Sequence, residues 1–492
     1  MDYENSILPE HTQRLLASHG TRLEYDRCEK CTVIDLSATD VSDEELATLI
    51  YYPGFGKLDL SNTNISNDGL KHVGKMPYLE RLQLADTRIT DDGLAEFRHL
   101  RKLERLDVSD TREALNRIVS PHGRSQSRDP RLTNNGLQYL DDFSSLHYLK
   151  LGGTHVTDAG LLCHAPRMQQ LQGLSLNCLD VTDEGLNALD CLDWCRQIDL
   201  SGTQVTDAGI IHFVHQHESS LSRLNLSATS ITDSCICEFP EDCGIRRLRL
   251  WKTNISDESL PDIARLPELT HLSLAATNAS DDGIRCLENC SWLKKLGLEQ
   301  TAITDDCLDS LPRGPLERLS ISSTAITDEG LSSLSEYSSL SELSAVRTSV
   351  SDRGLRLLAR VKSLRRLALN QTAISNSGLA FLLDLPLEHL YLTLPIDDTG
   401  LNTLAGMRSL RWLTLVGSDV SSWKPLCHLK NLKTLYLDGV STSDLSPLAE
   451  LQQLKVLGVS GGGVRPVEVA KLRLALPDCA ISVRAWKTSH RT

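Results

Sequence analysis

Residues 82–94 read Leu-Gln-Leu-Ala-Asp-Thr-Arg-Ile-Thr-Asp-Asp-Gly-Leu, and this stretch contains the pattern that decides the fold. A Leu-x-Leu pair is followed by a Thr, and an aliphatic residue then introduces a Thr-Asp-x-Gly-Leu phrase. The phrase returns at 156–161 and at 326–331, with about fourteen copies along the chain. The Thr residues at positions 63, 87 and 111 are 24 residues apart. A fixed period of this length indicates a solenoid, in which each unit buries its apolar face by stacking on its neighbours.

The order of apolar residues within one repeat predicts a short strand followed by a short helix. At 58–60 the sequence Leu-Asp-Leu alternates with period two, so both leucines point inward and the Asp faces solvent. Ser66 and Thr90 are placed as N-caps of the helices that follow. Leu94 and Phe97 have i and i+3 spacing, which predicts an inner helix face that packs on the strand layer.

The recurring polar residues are predicted to be structural. The Thr that follows each strand, such as Thr87, can hydrogen-bond turn backbone that would otherwise lack a partner. The acidic pair Asp91 and Asp92 stands in the first turn of a helix, where the helix dipole stabilises negative charge. Helix capping therefore accounts for the acid pairs, and neither they nor the Thr row is interpreted as catalytic.

The pattern LxxLxLxxT followed by (I/V)(T/S)DxGLxxL resembles a leucine-rich repeat. It is most similar to the cysteine-containing type of F-box leucine-rich proteins and to bacterial, planctomycete-like proteins with the same TDxGL phrase. The resemblance covers roughly residues 30–484. It implies an α/β fold, a leucine-rich repeat solenoid (horseshoe) with a parallel sheet on the concave face and short helices on the convex face.

The predicted domain organisation follows the limits of the repeat. Residues 1–30 are predicted to form an N-terminal cap, 31–463 a solenoid of about eighteen repeats, and 464–492 a C-terminal cap and tail. Residues 113–131 interrupt the fourth repeat as an exposed basic loop, either a tolerated insertion or a partner-contacting or regulated loop. From about residue 390 the repeats shorten and resemble those of internalin-like proteins, whose convex segments are tight turns.

Composition and charge limit the classes of partner. The 492 residues have a formal net charge of −14 and a pI near 5.5, which argues against nucleic acid or an anionic membrane as partner. Much of the acid belongs to the helix starts, so the total charge is a poor guide to the binding face. The 14 Cys at scattered spacings, the lack of an apolar run in residues 1–20 and the lack of a membrane-spanning stretch predict a reduced, cytoplasmic protein.

Enzyme and metal signatures are weak in this sequence. A Gly-rich phosphate loop, a GxSxG elbow and an HExxH helix are absent. Cys28-x-x-Cys31 is a lone pair, whereas a structural zinc site takes four ligands. A second group of possible metal ligands lies in two neighbouring repeats, whose side chains could come close to one another. These residues are interpreted instead as ordinary packed or exposed residues: His212, His215, His217, Cys235 and Cys237. The sequence therefore predicts no catalysis, no cofactor and no metal.

The alternation also identifies the solvent-facing strand positions. Glu342 is the one acid in the row of residues that precede each Leu-x-Leu pair. In many other repeats the residue at this position is basic: Lys57, Arg81, Arg105, Arg223, Arg247, His271, Lys295, Arg318 and Arg366. The middle residue of the pair is acidic early in the chain and aromatic later. The concave face is therefore predicted to be mixed near the N-terminus, basic in the middle and aromatic toward the C-terminus.

Two clusters on this face are predicted to bind a partner. One is a basic patch with one exposed Trp: Arg247, Arg249, Trp251, Lys252, His271 and Lys295. The other is an aromatic patch on successive strands: Tyr391, Trp412 and Tyr436. Trp, Tyr and Arg dominate interface hot spots, but stacked strands also favour such ladders for their own stability. Both interpretations are open at the level of sequence.

The sequence thus predicts a non-enzymatic protein–protein interaction scaffold that binds a protein partner on its concave face. One alternative is a substrate-recognition subunit of a ubiquitin-ligase-like complex, although the F-box module expected before the first repeat is missing. Another is a nucleic-acid binder that uses the Arg247/Arg249 patch, whose retention on DNA or RNA would depend steeply on salt. No membrane partner is expected.

Overall fold

The computed structural model describes residues 22–25, 31–51, 55–111, 132–440 and 444–483. Within these ranges the chain forms two compact units. The first unit contains the described residues up to Asn254 together with Leu266–Glu268, and the second contains Ile255–Arg265 and the described residues from Leu269 onward. The inserted loop 113–131, the predicted N-terminal cap apart from 22–25, and Cys28 lie outside the described residues.

The strands of the first unit form a ladder with one register. Its strands are β1 (Arg22–Tyr25), β2 (Cys31–Asp35), β3 (Lys57–Asp59), β4 (Arg81–Gln83), β5 (Arg105–Asp107), β6 (Tyr148–Lys150), β7 (Gly173–Ser175), β8 (Gln197–Asp199), β9 (Arg223–Asn225) and β10 (Arg247–Arg249). Strand β1 is antiparallel to β2, and each later strand is parallel to the one before it. The middle aliphatic residues stand opposite one another, as Leu58 does to Leu82. This register keeps the polar residues of all strands on one face.

Short helices connect the strands of the first unit. The α-helices are α1 (Asp43–Leu46), α2 (Asn67–Val73), α3 (Asp91–Leu94), α4 (Asp158–His164), α5 (Asp183–Asn187), α6 (Asp207–Gln216) and α7 (Asp233–Cys237). The 3-10 segments are Ala47–Tyr51, Ala95–His99, Asn134–Leu140, Ala165–Arg167 and Ala188–Cys191. Each α-helix begins at the Asp or Asn that follows a Ser or Thr, where the repeat phrase predicts a helix start.

The second unit repeats the same alternation. Its strands are β11 (His271–Ser273), β12 (Lys295–Gly297), β13 (Arg318–Ser320), β14 (Glu342–Ser344), β15 (Arg366–Ala368), β16 (His389–Leu392), β17 (Trp412–Val416), β18 (Thr434–Asp438), β19 (Val456–Val459) and β20 (Ala480–Val483), all parallel in chain order. The α-helices are α8 (Leu260–Arg265), α9 (Asp281–Arg285), α10 (Asp306–Asp309), α11 (Asp352–Leu358), α12 (Asp398–Leu404) and α13 (Pro466–Ala475). The 3-10 segments are Asp257–Ser259, Cys286–Asn289, Gly330–Glu336, Gly378–Leu382, Lys424–His428 and Ser446–Glu450.

These elements confirm the predicted fold class in each unit, an α/β solenoid with a parallel sheet on one face and short helices on the other. In the last repeats, Lys424–His428 and Ser446–Glu450 are 3-10 segments with Pro in their first turn, whereas α12 is an α-helix. The predicted C-terminal cap region holds α13 and β20, and β20 pairs with β19. No helix among the described residues is long and apolar enough to cross a bilayer.

The Thr that follows each strand has the structural role that the sequence predicts. The hydroxyl groups of Thr63 and Thr277 each donate to the carbonyl of the leucine three residues earlier, at 2.6 Å. The residue before this Thr is left-handed in many repeats, with φ of 59° at Asn62 and 56° at Lys252. A non-Gly residue in this conformation costs about 1–2 kcal/mol. Lys252, predicted as part of the basic patch, therefore occupies a constrained position of the repeat turn.

The first acid of the Thr-Asp-x-Gly phrase joins successive repeats. Asp43 accepts hydrogen bonds from the backbone N–H and the hydroxyl of Ser66, at 3.0 and 2.6 Å. Asp158 accepts the same pair of bonds from Thr182, at 2.9 and 2.7 Å. The prediction that helix capping alone accounts for these acids is therefore wrong. Half-buried carboxylates bind the next repeat, and the hydroxyl residue opposite them immediately precedes that repeat's helix.

This bond between repeats also changes the role of the predicted N-caps. Ser66 caps its helix as predicted, because its hydroxyl accepts from the N–H of Asp68. Thr90 makes no side-chain cap bond, so its predicted capping role is wrong. Its hydroxyl instead accepts from Asn67 of the preceding repeat, at 2.7 Å. Asn can replace Asp in this bond because its carbonyl oxygen accepts from the Thr90 N–H at 3.0 Å.

The same contact favours Gly at this position of the phrase, although Cys235 and Cys307 occupy the position in two repeats. A Cβ on Gly93 would lie 2.5 Å from Oδ1 of Asn67, and a Cβ on Gly330 would lie 2.5 Å from Oδ1 of Asp305. Neither glycine has a positive φ. Close approach of the preceding repeat, rather than backbone conformation, explains why Thr-Asp-x-Gly is conserved within this chain from repeat to repeat.

Candidate partner-binding face

The predicted alternation places its polar residues on the strand face of each unit. In β10, Leu248 is fully buried while Arg247 and Arg249 on either side of it are exposed. In β9, the exposed Arg223 and the half-buried Asn225 flank the buried Leu224. Strand geometry therefore holds the arginine stems at fixed positions above an apolar floor.

The strand face of the first unit forms an open groove of about 790 Å³. Its charged lining consists of Arg81, Arg105, Asp107, Lys150, Asp199, Arg223, Arg247 and Arg249. Six of these side chains are basic and two are acidic, so the formal charge of the lining is +4. The whole chain has a net charge of −14. The groove is thus a cationic surface on an anionic protein.

Three arginines at one end of the groove lack acidic partners. Arg223 and Arg247 stand opposite each other on the paired strands β9 and β10, and Arg249 follows on β10. Among the described residues no carboxylate lies within ion-pair distance of any of the three. Partial burial lowers the pKa of Arg247, and the neighbouring charges of Arg223 and Arg249 lower it further. This cluster is called the arginine triad below.

The two aspartates of the groove are already bound within the protein. Asp107 accepts from the Ser109 hydroxyl at 2.6 Å and forms an ion pair with Lys150 at 2.8 Å. Asp199 accepts from the Ser201 hydroxyl at 2.6 Å and from Asn225 at 3.0 Å. Their carboxylates therefore stabilise turns and neighbouring strands, and they do not neutralise the arginine triad.

The aromatic ring in the groove is also covered by its neighbours. The guanidinium of Arg105 lies over the Tyr148 ring, 3.9 Å from its centroid. On the following strand, a Cβ on Gly173 would lie 2.5 Å from Cδ1 of Tyr148, so the ring packs against the Gly backbone. Trp251, predicted to be exposed, is half-buried in the turn after β10.

The strand face of the second unit has a different pattern of charge. His271 and Lys295, the other members of the predicted basic patch, stand opposite each other on β11 and β12. Farther along this face, Oε2 of Glu342 forms ion pairs with Nε of Arg318 at 3.0 Å and with Nη1 of Arg366 at 3.3 Å. These two arginines therefore share one carboxylate, which lies between them and reduces their mutual repulsion.

The predicted aromatic patch forms a stacked cluster in the second unit. Trp412 lies 6.0 Å from His389, 6.1 Å from Tyr391 and 5.5 Å from Tyr436, measured between ring centroids. Its indole N–H donates to the Thr414 hydroxyl at 3.1 Å. The four rings are half-buried, so the prediction that they are simply exposed is wrong. Much of their surface contacts other rings of the cluster, as expected for a stabilising ladder.

A protein-family model described as "Leucine Rich repeat" matches residues 75–97 and 315–335. Each matched segment spans a strand and the turn that follows, β4 and β13, and the same strand, turn and helix recur through the described residues of both units. The chain is a leucine-rich repeat protein. The family prediction is confirmed at this level, while the cysteine-containing subtype and the missing F-box stay predictions.

Several solved structures of leucine-rich repeat proteins are similar to this chain. A protein of Leptospira interrogans is 18% identical, with a TM-score of 0.40, covering 90% of this chain and 100% of that one. An internalin of Listeria monocytogenes is 15% identical, with a TM-score of 0.35, covering 84% and 87%. TLR13, solved as a complex with ssRNA13, is 17% identical, with a TM-score of 0.49, covering 88% and 71%. A search of curated protein sequences found no match.

The residues weighed as metal ligands in this leucine-rich repeat protein have other partners. Nε2 of His212 lies 2.8 Å from Oδ2 of Asp190, and Nε2 of His215 lies 2.9 Å from the Glu238 carbonyl. In the part of the chain that the structure describes, no group of three or more His, Cys, Asp or Glu side chains is placed to hold a metal ion. The Cys28–Cys31 pair cannot be placed, because Cys28 lies outside that part.

The buried cysteines are poor nucleophiles. Cys235 and Cys307 occupy the Gly position of the repeat phrase. Burial raises the pKa of both thiols, and the carboxylates Asp207 and Asp281 of the preceding repeats raise them further. Burial also raises the pKa of Cys195 to about 12. These thiols remain protonated near neutral pH and pack as small apolar side chains.

The sequence identified part of the groove and missed the rest. Arg247 and Arg249 were predicted as site residues, and the groove brings them together with Arg81, Arg105, Lys150 and Arg223. Arg81, Arg105 and Arg223 belong to the basic row before each Leu-x-Leu pair, and Lys150 is the middle residue of such a pair, so all four positions are visible in the sequence. Their selection requires knowing which arginines of that row have carboxylate partners, and this depends on side chains of neighbouring repeats.

Proposed function

We propose that this leucine-rich repeat protein is a non-enzymatic scaffold that binds a polypeptide partner on its strand faces. The observation that supports this proposal is the contrast between the groove of the first unit, with a lining charge of +4, and the chain, with a net charge of −14. A concentrated charge of opposite sign attracts and orients a complementary partner.

The partner-binding residues proposed from the sequence are kept and extended. They are Arg247, Arg249, Trp251, His271, Lys295, Tyr391, Trp412 and Tyr436, to which the groove adds Arg81, Arg105, Lys150 and Arg223. Apart from Trp251, which lies in a turn, these side chains project from strands that pair with neighbouring strands of the same unit. Little conformational entropy is lost when such a surface binds, and this preorganisation favours affinity.

Affinity capture with two matched charge-reversal variants tests the proposal. In the groove variant, Arg223, Arg247 and Arg249 are replaced by Glu. In the control variant, the exposed residues Lys75, Arg98 and Arg101, which do not line the groove, are replaced by Glu. Both variants undergo the same change in net charge, so a difference between them reports the location of the charge.

Each protein is immobilised and exposed to a nuclease-treated lysate, and the retained proteins are identified by mass spectrometry. We expect a set of proteins that the wild type and the control variant retain and the groove variant loses. Retention of the same proteins by all three would contradict binding at the groove. A double variant with Trp412→Ala and Tyr391→Ala tests the second unit in parallel. Proteins that the groove variant still retains and the double variant loses are assigned to the second unit.

A further inference from the structure

We infer that the groove of the first unit takes an extended acidic polypeptide segment, whose carboxylates bind the arginine triad of Arg223, Arg247 and Arg249. The inference rests on the proposed scaffold function and specifies the chemistry of its ligand. Bidentate hydrogen bonds between guanidinium and carboxylate groups are the contacts that this cluster is suited to make.

The spacing of the triad matches an extended chain. Arg247 and Arg249 are alternate residues of β10 on the same face, which places their stems about 7 Å apart. Arg223 stands opposite Arg247 on the neighbouring strand, about 5 Å away. Alternate side chains of an extended peptide are also about 7 Å apart on one side. A ligand with acidic residues at positions i and i+2 can therefore reach Arg247 and Arg249 together.

The triad is costly to the free protein. Like charges directly opposite each other on paired strands are destabilising, and Arg223 and Arg247 are such a pair. Burial lowers the pKa of Arg247, and the positive charges of Arg223 and Arg249 lower it further. No carboxylate of the described residues relieves this repulsion. An external anion that binds here would therefore form ion pairs that the free protein lacks and would reduce the repulsion between the arginines.

The groove suits a polypeptide better than a nucleic acid. Sequence-tolerant nucleic-acid sites offer aromatic faces on which bases stack, but the Tyr148 ring is covered by Arg105 and the Gly173 backbone. Asp107 and Asp199, the middle residues of their strands, also line the groove, and their negative charges would repel a continuous phosphate chain. A peptide with acidic residues at selected positions can avoid these two aspartates.

Fluorescence anisotropy with defined peptides tests the inference on the full chain. The probe is a fluorescein-labelled nine-residue peptide in which Glu alternates with Ser. The first control peptide has Gln in place of each Glu, and the second places the same number of Glu residues in one block. A single-stranded oligonucleotide of equal charge serves as the competing class of ligand.

We expect the alternating Glu peptide to bind the wild type at least about tenfold more tightly than the Gln peptide, and more tightly than the block peptide. Replacing Arg223, Arg247 and Arg249 by Gln is expected to weaken binding about a hundredfold. The control variant with Lys75, Arg98 and Arg101 replaced by Gln is expected to bind as the wild type does. Circular dichroism checks that each variant is folded, and Arg247→Gln alone, with an expected loss of about tenfold, replaces the triple variant if that one unfolds.

Three results would overturn the inference: equal binding of the Glu and Gln peptides, equal binding by the triad and control variants, or tighter triad-dependent binding of the oligonucleotide. The lysate capture separates this failure from failure of the scaffold proposal. Triad-dependent capture of proteins without binding of the Glu peptide would reject only the acidic-segment ligand. If the groove variant and the Trp412/Tyr391 variant both capture the same proteins as the wild type, the scaffold proposal is rejected as well.

Discussion

The two strand faces of this protein use arginine in different ways. On the face of the first unit, Arg223 and Arg247 stand side by side with no acidic partner among the described residues. On the face of the second unit, Arg318 and Arg366 stand on either side of Glu342 and both bind it. The repeat beneath them is the same, with buried leucines in register and Asp-to-hydroxyl bonds between repeats. Solvent-facing residues can therefore change from one repeat to the next without changing the frame.

The largest expected effect comes from breaking the frame that both units share. Asp158→Ala in the first unit and Asp352→Ala in the second each remove two hydrogen bonds to the next repeat. Each substitution is expected to destabilise its own unit by about 2 kcal/mol, because a partly buried N–H and hydroxyl lose their acceptor. Hydrogen exchange on the full chain, measured by mass spectrometry on peptides from each unit, gives the local stability.

The exposed residue Glu184, next to the first acid of its phrase, provides the control for this pair. Glu184→Ala is expected to change the local stability by less than about 0.5 kcal/mol. An equally small effect of Asp158→Ala would show that the bond between repeats does not stabilise the frame.

Disrupting the aromatic cluster should give an effect of similar size, confined to the second unit. Trp412→Ala removes ring contacts to His389, Tyr391 and Tyr436. We expect a loss of about 2 kcal/mol in local stability, somewhat less than for a fully buried Trp. Tyr148→Ala in the first unit, with one guanidinium contact, is expected to cost about 1 kcal/mol. A loss at Trp412 no larger than that at Tyr148 would favour the hot-spot interpretation over the stability ladder.

Introducing the acid of the second face into the first sharpens the comparison. In Arg223→Glu the new carboxylate stands beside Arg247, as Glu342 stands beside Arg366. The substitution is expected to raise the stability of the first unit by about 0.5–1 kcal/mol, because it replaces repulsion by attraction. It is also expected to abolish acidic-peptide binding. Higher stability with unchanged binding of the acidic peptide would show that the arginine triad is not its binding site.

The reverse substitution in the second unit should have a smaller effect of opposite sign. Glu342→Gln leaves Arg318 and Arg366 without their shared carboxylate. These side chains are partly exposed, so solvent screening limits the expected loss to about 0.5 kcal/mol. Hydrogen exchange in low and high salt measures it, and the difference between the variant and the wild type should shrink as salt increases. A salt-independent loss would point to packing rather than charge.

The pH dependence of the second face should be the smallest effect. Burial lowers the pKa of His389, and the neighbouring charge of Arg366 lowers it further, against the opposing effects of Glu388 and Glu342. The unfolded chain therefore binds this proton more readily than the folded chain. Stability of the second unit should fall as pH decreases below about 6.5, the ordinary pKa of His. His389→Gln should reduce this slope in hydrogen exchange between pH 7 and pH 5, and an unchanged slope would contradict the assignment.

Much of the fold could be predicted because the repeat is a local pattern. Leu58 and Leu60 identify a strand by their alternation, and the phrase at 89–94 identifies the start of a helix. Each such element needs only its neighbours in sequence and the next copy of the same pattern. The Thr hydroxyl bonds follow for the same reason, since donor and acceptor lie three residues apart in one turn.

The candidate site was predicted only in part because it depends on lateral neighbours. Arg247 and Arg318 occupy the same position of the repeat, and nothing within either repeat distinguishes them. The difference arises from the residue one strand away, Arg223 for the first and Glu342 for the second. The half-burial of Trp412 arises in the same way, from rings on the neighbouring strands that lie 21 to 24 residues away in sequence.

The sequence by itself determined the period, the strand and helix of each repeat, and which side chains face solvent, because all of these follow from the spacing of apolar residues along the chain. Only the tertiary structure decided which of those solvent-facing side chains neutralise or cover one another. Parallel stacking brings residues of successive repeats to within about 5 Å. At that distance the identity of the neighbour determines whether an arginine is paired within the protein or remains available to a partner.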